Sequence, residues 1–195
     1  MRLVCLGDSM TYGYGVPRSE AWPALAKART RVDIINCGVN GDTTGGMLAR
    51  FTTDVLAANP DAVLIMGGWN NIFLSGTDGM ARANIGSMAN IAASSGITPI
   101  IGIPLQICRP IRSDWESLAD LDVLIPIYYN YVKWLCDFCN VFNFSYIHFD
   151  SEFRRLIIAQ GKEPASYYQN DGLHPNKEGH KLLAEILIHA LKAFV

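Results

Sequence analysis

The feature of this chain that most limits its fold is a regular alternation of two kinds of segment. Short apolar runs at 3–6, 32–36, 62–66, 97–103 and 144–149 are separated by longer stretches with helical spacing, at 20–29, 46–58, 78–94, 114–140 and 176–195. The short runs are apolar throughout rather than on every second residue, which is the pattern of strands covered on both faces. Strands that alternate with helices join through right-handed crossovers into a parallel sheet with helices on both sides. The expected fold is therefore α/β, with about five parallel strands. In the last stretch Leu182, Leu183, Ile186, Leu187, Ala190, Leu191 and Phe194 share one helical face, and Pro175 before it suits a first turn. That face predicts a helix lying on the sheet.

The chain of 195 residues has no internal repeat, low-complexity tract or linker, so it reads as one domain over 1–195. Hydrophobic residues make up 50% and charged residues only 17%, the reverse of a disordered chain. A formal charge of −2 gives no general attraction to nucleic acid. The low charged share fits a surface partly covered by a partner or by a second copy, as in a homo-oligomer. The cysteines Cys5, Cys37, Cys108, Cys136 and Cys139 are odd in number and irregularly spaced, which argues for a reducing compartment rather than a disulfide framework. Cys5 and Cys37 lie in strand-like runs and read as small core residues. Cys136 and Cys139 form a C-x-x-C, but the run before it is helical and no second Cys or His pair lies nearby to complete a zinc site. They read as two positions on a helix. The apolar run before Gly7 is too short for a secretory signal, and the longest apolar runs fall far short of the ~20 residues that span a bilayer. The expectation is a cytoplasmic protein without stable membrane insertion.

Parallel sheets bind ligands beyond the carboxyl ends of their strands. The segment after the first strand is Gly7-Asp8-Ser9-Met10-Thr11-Tyr12-Gly13. After the second comes Gly38-Val39-Asn40-Gly41-Asp42-Thr43-Thr44, and after the third Gly67-Gly68-Trp69-Asn70-Asn71. Before the last helix stands Asp171-Gly172-Leu173-His174-Pro175. Together they hold a hydroxyl, backbone N–H donors, a side-chain amide, a carboxylate and an imidazole, which are the parts acyl transfer needs. Ser9 sits where a tight turn can present its hydroxyl, although serine equally suits a helix cap there. Of the histidines, His180 and His189 fall within the last helical pattern and read as surface residues, while His148 ends a strand run. His174 precedes Pro175, which biases it to an extended loop conformation. Asp171, on the same loop, can hold the Nδ1–H of that imidazole and leave Nε2 facing outward, or simply form a turn with Gly172. Gly41 can offer a backbone N–H and Asn70 an amide to a developing oxyanion, with turn chemistry as the plain alternative and Asn40 and Asn71 as competitors.

These blocks, in this order, resemble those of the SGNH hydrolases, the GDSL-type lipases and acylhydrolases. Gly7-Asp8-Ser9 is similar to the first family block, Gly41-Asp42-Thr43 to the second, Gly68-Trp69-Asn70-Asn71 to the third, and Asp171-Gly172-Leu173-His174-Pro175 to the last. The resemblance spans nearly the whole chain. It implies a flavodoxin-like, three-layer α/β/α sandwich and the hydrolysis of carboxylic esters or thioesters through an acyl-serine intermediate, with no metal or cofactor. It also implies a catalytic triad of Ser9, Asp171 and His174, and an oxyanion hole formed by Ser9, Gly41 and Asn70. Two positions depart from the pattern: Met10 stands where the family has Leu, and Asn71 where the third block usually has Asp.

The substrate is less legible. Met10, Tyr12, Trp69, Phe73 and Tyr168 lie beside the motif residues and suggest an apolar, aromatic acyl pocket. Arg109 and Arg112 lie in the Pro-bounded stretch 104–113 after the fourth strand, either as solvated loop charges or facing an anionic head group, and the stretch itself can serve as a lid or rim. A carboxylesterase, an acyl-CoA thioesterase, a lysophospholipase and a sugar deacetylase all fit. Two readings of other classes stand beside them. A nucleotide-binding loop after the first strand lacks both the Lys-Ser/Thr and the Gly-x-Gly-x-x-Gly signatures. A non-catalytic binding module with an esterase-like fold would have no need of Ser9, Asp171 and His174 together.

Overall fold

The computed structural model describes residues 1–193. Phe194, counted on the last helical face, and Val195 lie outside the described residues. Five strands form one sheet: β1 (Arg2–Gly7), β2 (Asp33–Gly38), β3 (Ala62–Met66), β4 (Thr98–Ile103) and β5 (Ser145–His148). Their order is β2-β1-β3-β4-β5 and every neighbouring pair is parallel. The three central strands are buried along almost their whole length, as continuous apolar runs require. The edge strands β2 and β5, each with one neighbour, are only partly covered.

Among the described residues ten α-helices connect or flank the strands: α1 (Ser9–Tyr12), α2 (Trp22–Arg29), α3 (Thr44–Ala49), α4 (Phe51–Asp54), α5 (Trp69–Ser75), α6 (Gly79–Ser94), α7 (Ser113–Glu116), α8 (Leu121–Phe142), α9 (Phe149–Ala159) and α10 (Lys177–Leu191). Helix α10 packs against α2 and α9 in one layer, and α6 packs against α3 and α8 in the other. The sandwich is thus the three-layer flavodoxin-like arrangement. One continuous core runs through it, with Trp22, Phe51, Tyr128, Tyr131, Phe149 and Phe153 among its largest fully buried side chains. Among the described residues, no helix is long and apolar enough to cross a membrane.

Several boundaries differ from the sequence reading. The expected helix over 46–58 is broken at Arg50, whose φ of −98° and ψ of 5° end α3 before α4 begins. The expected helix over 114–140 is divided at Asp120, whose carboxylate caps α8 by accepting from Asp122 N at 3.0 Å. Helices α5 and α9 escaped the sequence reading. In α9 the buried apolar residues are only Phe149, Phe153 and Ile157, too few to stand out beside the strand run they follow. The largest correction concerns His180. It is fully buried on α10, not at the surface, and its Nδ1 accepts from Trp22 N at 3.3 Å while its Nε2 has no partner among the described residues. Cys136 and Cys139 both lie on α8, and all five cysteines are free.

The register decides where chemistry can happen. Gly7, the last residue of β1, pairs with Gly38 of β2 and Met66 of β3, so these three strands end level. The chain winds outward from β1 to β2 on one side and from β3 to β5 on the other. The direction of winding reverses beside β1, where a crevice opens at the carboxyl ends of the strands.

Candidate active site

Each of the four polar segments meets at that crevice. Ser9 is the first residue of α1, a single turn whose N-terminus Asp8 caps by accepting from Met10 N at 3.0 Å. His174 comes from the loop before α10. Its Nε2 lies 2.9 Å from Ser9 Oγ, and its Nδ1 lies 2.7 Å from Asp171 Oδ2. The other Asp171 oxygen accepts from Leu173 N at 2.8 Å and His174 N at 3.0 Å. Burial by itself would raise the Asp171 carboxyl; the hydrogen bonds from the His174 ring and from the two backbone N–H groups outweigh it and hold the group below the usual carboxylate range. The loop is braced from outside as well. Cys108 N donates to Gly172 O at 2.8 Å, and Gln169 N donates to His174 O at 2.8 Å. The ring of Tyr14 packs on that of His174, with centroids 4.5 Å apart.

Gly41 lies in the β2–α3 loop with a φ of +73°, a conformation that favours glycine. Asn70 starts the second position of α5, and its Nδ2 donates to Asp42 O at 2.7 Å. An amide nitrogen carries two hydrogens, so one remains for a ligand. Asn71, the second departure from the family resemblance, faces away from the crevice. Its Oδ1 accepts from Thr44 N at 3.0 Å and from Thr44 Oγ1 at 3.1 Å, and Asn84 Nδ2 donates to that same hydroxyl at 3.1 Å. An amide oxygen serves these donors without a charge, so the departure leaves the loop braced.

Ser9, Gly41, Asn70 and His174 line one cavity of about 160 Å³. Its apolar wall is Met10, Trp69, Phe73, Ile107, Trp115 and Leu173. Trp69 is locked in place: its Nε1 donates to Leu105 O at 2.8 Å, and its ring stacks on Tyr128 at 4.5 Å. Of the expected pocket residues, Met10, Trp69 and Phe73 are there, whereas Tyr12 and Tyr168 are not. The Tyr12 backbone packs against Gly38, and its ring lies under the Arg18 guanidinium, 4.2 Å away. The Tyr168 hydroxyl donates to Gln106 O at 2.7 Å, and its ring faces Phe153, away from the cavity. The missing wall comes from Ile107 and Trp115, on a stretch distant in sequence from every motif. Arg109 and Arg112 do not line the cavity; they pair with Asp122 and Asp114, each at 2.6 Å, at the surface.

The sequence reading overlooked Asp8, which also lines the cavity. It is buried, and burial pushes its carboxyl up to about 6 against the opposing pull of the Met10 N–H and the nearby His174. A charged residue between an apolar strand and Ser9 was the available signal. Among the described residues, no group of three or more His, Cys, Asp or Glu side chains is placed to hold a metal ion.

This arrangement has clear relatives. The model of the GDSL-like Lipase/Acylhydrolase family matches residues 5–182. An arylesterase of Vibrio mimicus is 26% identical over 97% of this chain and 88% of its own. The "Thioesterase 1/protease 1/lysophospholipase L1" of Escherichia coli is 22% identical over 99% of this chain and 84% of its own. The crystal structure of a member of the lipolytic protein G-D-S-L family from Veillonella parvula superposes with a TM-score of 0.77 at 23% identity, covering 98% of each chain.

Proposed function

The chain belongs to the GDSL-like lipase/acylhydrolase family, and from that premise we propose that Ser9 is its nucleophile, His174 its general base and Asp171 the carboxylate that orients the base. As a member it is a serine hydrolase that cleaves ester bonds. The observation that carries the residue assignment is the unbroken chain of contacts Asp171–His174–Ser9, at 2.7 Å and 2.9 Å, opening into the cavity.

The reaction runs as follows. Ser9 Oγ attacks the acyl carbon while its proton passes to His174 Nε2. The carbonyl electron pair moves onto oxygen, and that oxyanion accepts from the N–H groups of Ser9 and Gly41 and from the Asn70 amide. Each such donor contributes about 2.7–4 kcal/mol to the transition state. Asp171 keeps the proton on Nδ1 before the reaction and stabilises the imidazolium during it. His174 then gives its proton to the leaving oxygen, and an acyl-serine remains. Water attacks this ester with His174 again as base, releasing the acid and free Ser9.

The substrate is a small ester whose acyl group sits on Met10, Trp69 and Phe73. A cavity of about 160 Å³ with six apolar wall residues favours a short acyl or aryl group over a long chain. Thioesters are the second reading, supported by the thioesterase name of the Escherichia coli relative. Five free cysteines suit a cytoplasmic location. The assignment is tested by treating the protein with a fluorophosphonate and reading intact mass and peptide maps. The expected result is one adduct per chain, on Ser9; no adduct, or one elsewhere, overturns it.

A further inference from the structure

Three chain segments supply the oxyanion donors, and one of them has little packing to hold it. Residues 39–41 are exposed, and a Cβ on Gly41 would touch nothing within 4 Å. The neighbouring residue is tied down twice. The Asp42 carbonyl accepts from Asn70 Nδ2 at 2.7 Å, and Asp42 Oδ2 accepts from Arg50 Nε at 2.8 Å. The same guanidinium donates from Nη2 to Gly7 O at 3.0 Å and from Nη1 to Cys37 O at 2.8 Å and Asp54 Oδ2 at 2.5 Å. Gly7 ends the strand that leads to Ser9, and Cys37 lies one residue from the end of β2. One rigid, planar group therefore bridges two strand ends and the Gly41 loop, a task that the point charge of a lysine cannot perform. Only 19% of the Arg50 side chain and 11% of the Asp42 side chain are exposed, so solvent screens this pair little.

We propose that Arg50 is a positioning residue for ester hydrolysis: through Asp42 it sets the distance between the Gly41 N–H and the nucleophile. The proposal rests on the assignment of Gly41 and Asn70 as oxyanion donors. Such donors must be held within about 0.5 Å of their working geometry, and displacing one by about 1 Å can cost 10²-fold in rate. A contact on the far side of Asp42 supplies an independent handle. A Cβ on Gly46 would lie 1.8 Å from Asp42 Oδ1, so Gly46→Ala must push the carboxylate off its seat. Gly46 lies within α3, and alanine is at home in a helix, so the change removes no polar group and leaves the backbone unstrained.

The test is steady-state kinetics on p-nitrophenyl acetate for the intact chain and for Arg50→Lys, Gly46→Ala, their double variant and Asn70→Ala. Thermal unfolding and inhibition by a trifluoromethyl ketone, which Ser9 converts into an oxyanion mimic, are measured alongside. Arg50→Lys and Gly46→Ala should each lower kcat about 10–100-fold, with KM within about three-fold and ketone affinity reduced by a factor comparable to the loss in kcat. The double variant should be no worse than Arg50→Lys by more than about three-fold, because both changes act through Asp42. A merely structural ion pair would lower the melting temperature and leave kcat and ketone affinity alone. That result, or losses that multiply in the double variant, overturns the proposal. If Arg50→Lys does not fold, Gly46→Ala decides the matter. An unchanged kcat in Asn70→Ala would remove the oxyanion reading itself, and the proposal with it. A reduced kcat there beside unaffected Arg50→Lys and Gly46→Ala would remove only the role of Arg50.

Discussion

His174 Nε2 lies 2.9 Å from Ser9 Oγ although the two residues are 165 positions apart in the chain. The contact joins the end of the first strand to the entrance of the last helix. Replacing Ser9 by Ala should therefore lower p-nitrophenyl acetate turnover by at least about 10³-fold. Ser9 is only partly buried and, among the described residues, its hydroxyl bonds no group besides His174, so the melting temperature should stay within a few degrees of the parent. Turnover that survives the substitution would place the nucleophile elsewhere.

In the proposed mechanism Asp171 serves catalysis through the imidazole, 2.7 Å from its Oδ2. Its replacement by Asn keeps an acceptor for the Leu173 and His174 N–H groups and loses the charge that selects the Nδ1–H tautomer. A fall in kcat of about 10³–10⁴-fold is expected, with an unaltered far-ultraviolet circular dichroism spectrum. A variant within ten-fold of the parent would mean that the carboxylate is structural.

Asp8 makes stability depend on pH in an unusual direction. Burial holds its folded pKa at about 6, above the ordinary carboxylate value of 3.8. The contribution is therefore fully present below the unfolded value and is lost as pH rises through the folded one, by an amount on the order of 3 kcal/mol. Asp8→Asn, which keeps the acceptor for Met10 N, should raise the melting temperature at pH 8 and change it little at pH 3.5. Equal effects at both pH values would refute this account of the buried carboxyl.

His180 works in the opposite sense. Burial lowers its pKa from 6.5 to about 4, so its contribution is present above the unfolded value and is lost as pH falls through the folded one. Between those limits the unfolded chain takes up a proton that the fold excludes. Urea unfolding of His180→Gln should show a shallower loss of stability between pH 6.5 and pH 4 than the parent. Parallel curves would assign the acid sensitivity to other groups.

Trp115 closes the cavity against Phe73, with ring centroids 6.1 Å apart. Trp115→Ala should shift the optimum of a p-nitrophenyl ester series toward longer acyl chains, by about ten-fold in relative kcat/KM for each one or two methylenes accommodated. An unchanged profile would move the acyl site off this wall.

The wall that Trp115 belongs to marks a boundary in what could be read from the chain alone. Alternation of apolar runs and helical stretches was enough for the layers, the parallel sheet and the polar segments at the strand ends, because burial on both faces leaves a local mark. The residues proposed as triad and oxyanion donors could be singled out for a related reason: each sits in a short segment of glycine and polar residues beside a strand end or helix start. The tertiary structure decided what depends on several segments meeting. It placed Ile107 and Trp115 in the cavity and sent the rings of Tyr12 and Tyr168 elsewhere. It buried His180, which a helical pattern alone cannot orient toward core or solvent, and turned Asn71 to Thr44. It gathered Gly7, Cys37, Asp42 and Asp54 around Arg50. Local patterns report how one segment faces its surroundings; the direction of a side chain within a shared space depends on neighbours that lie far away along the chain.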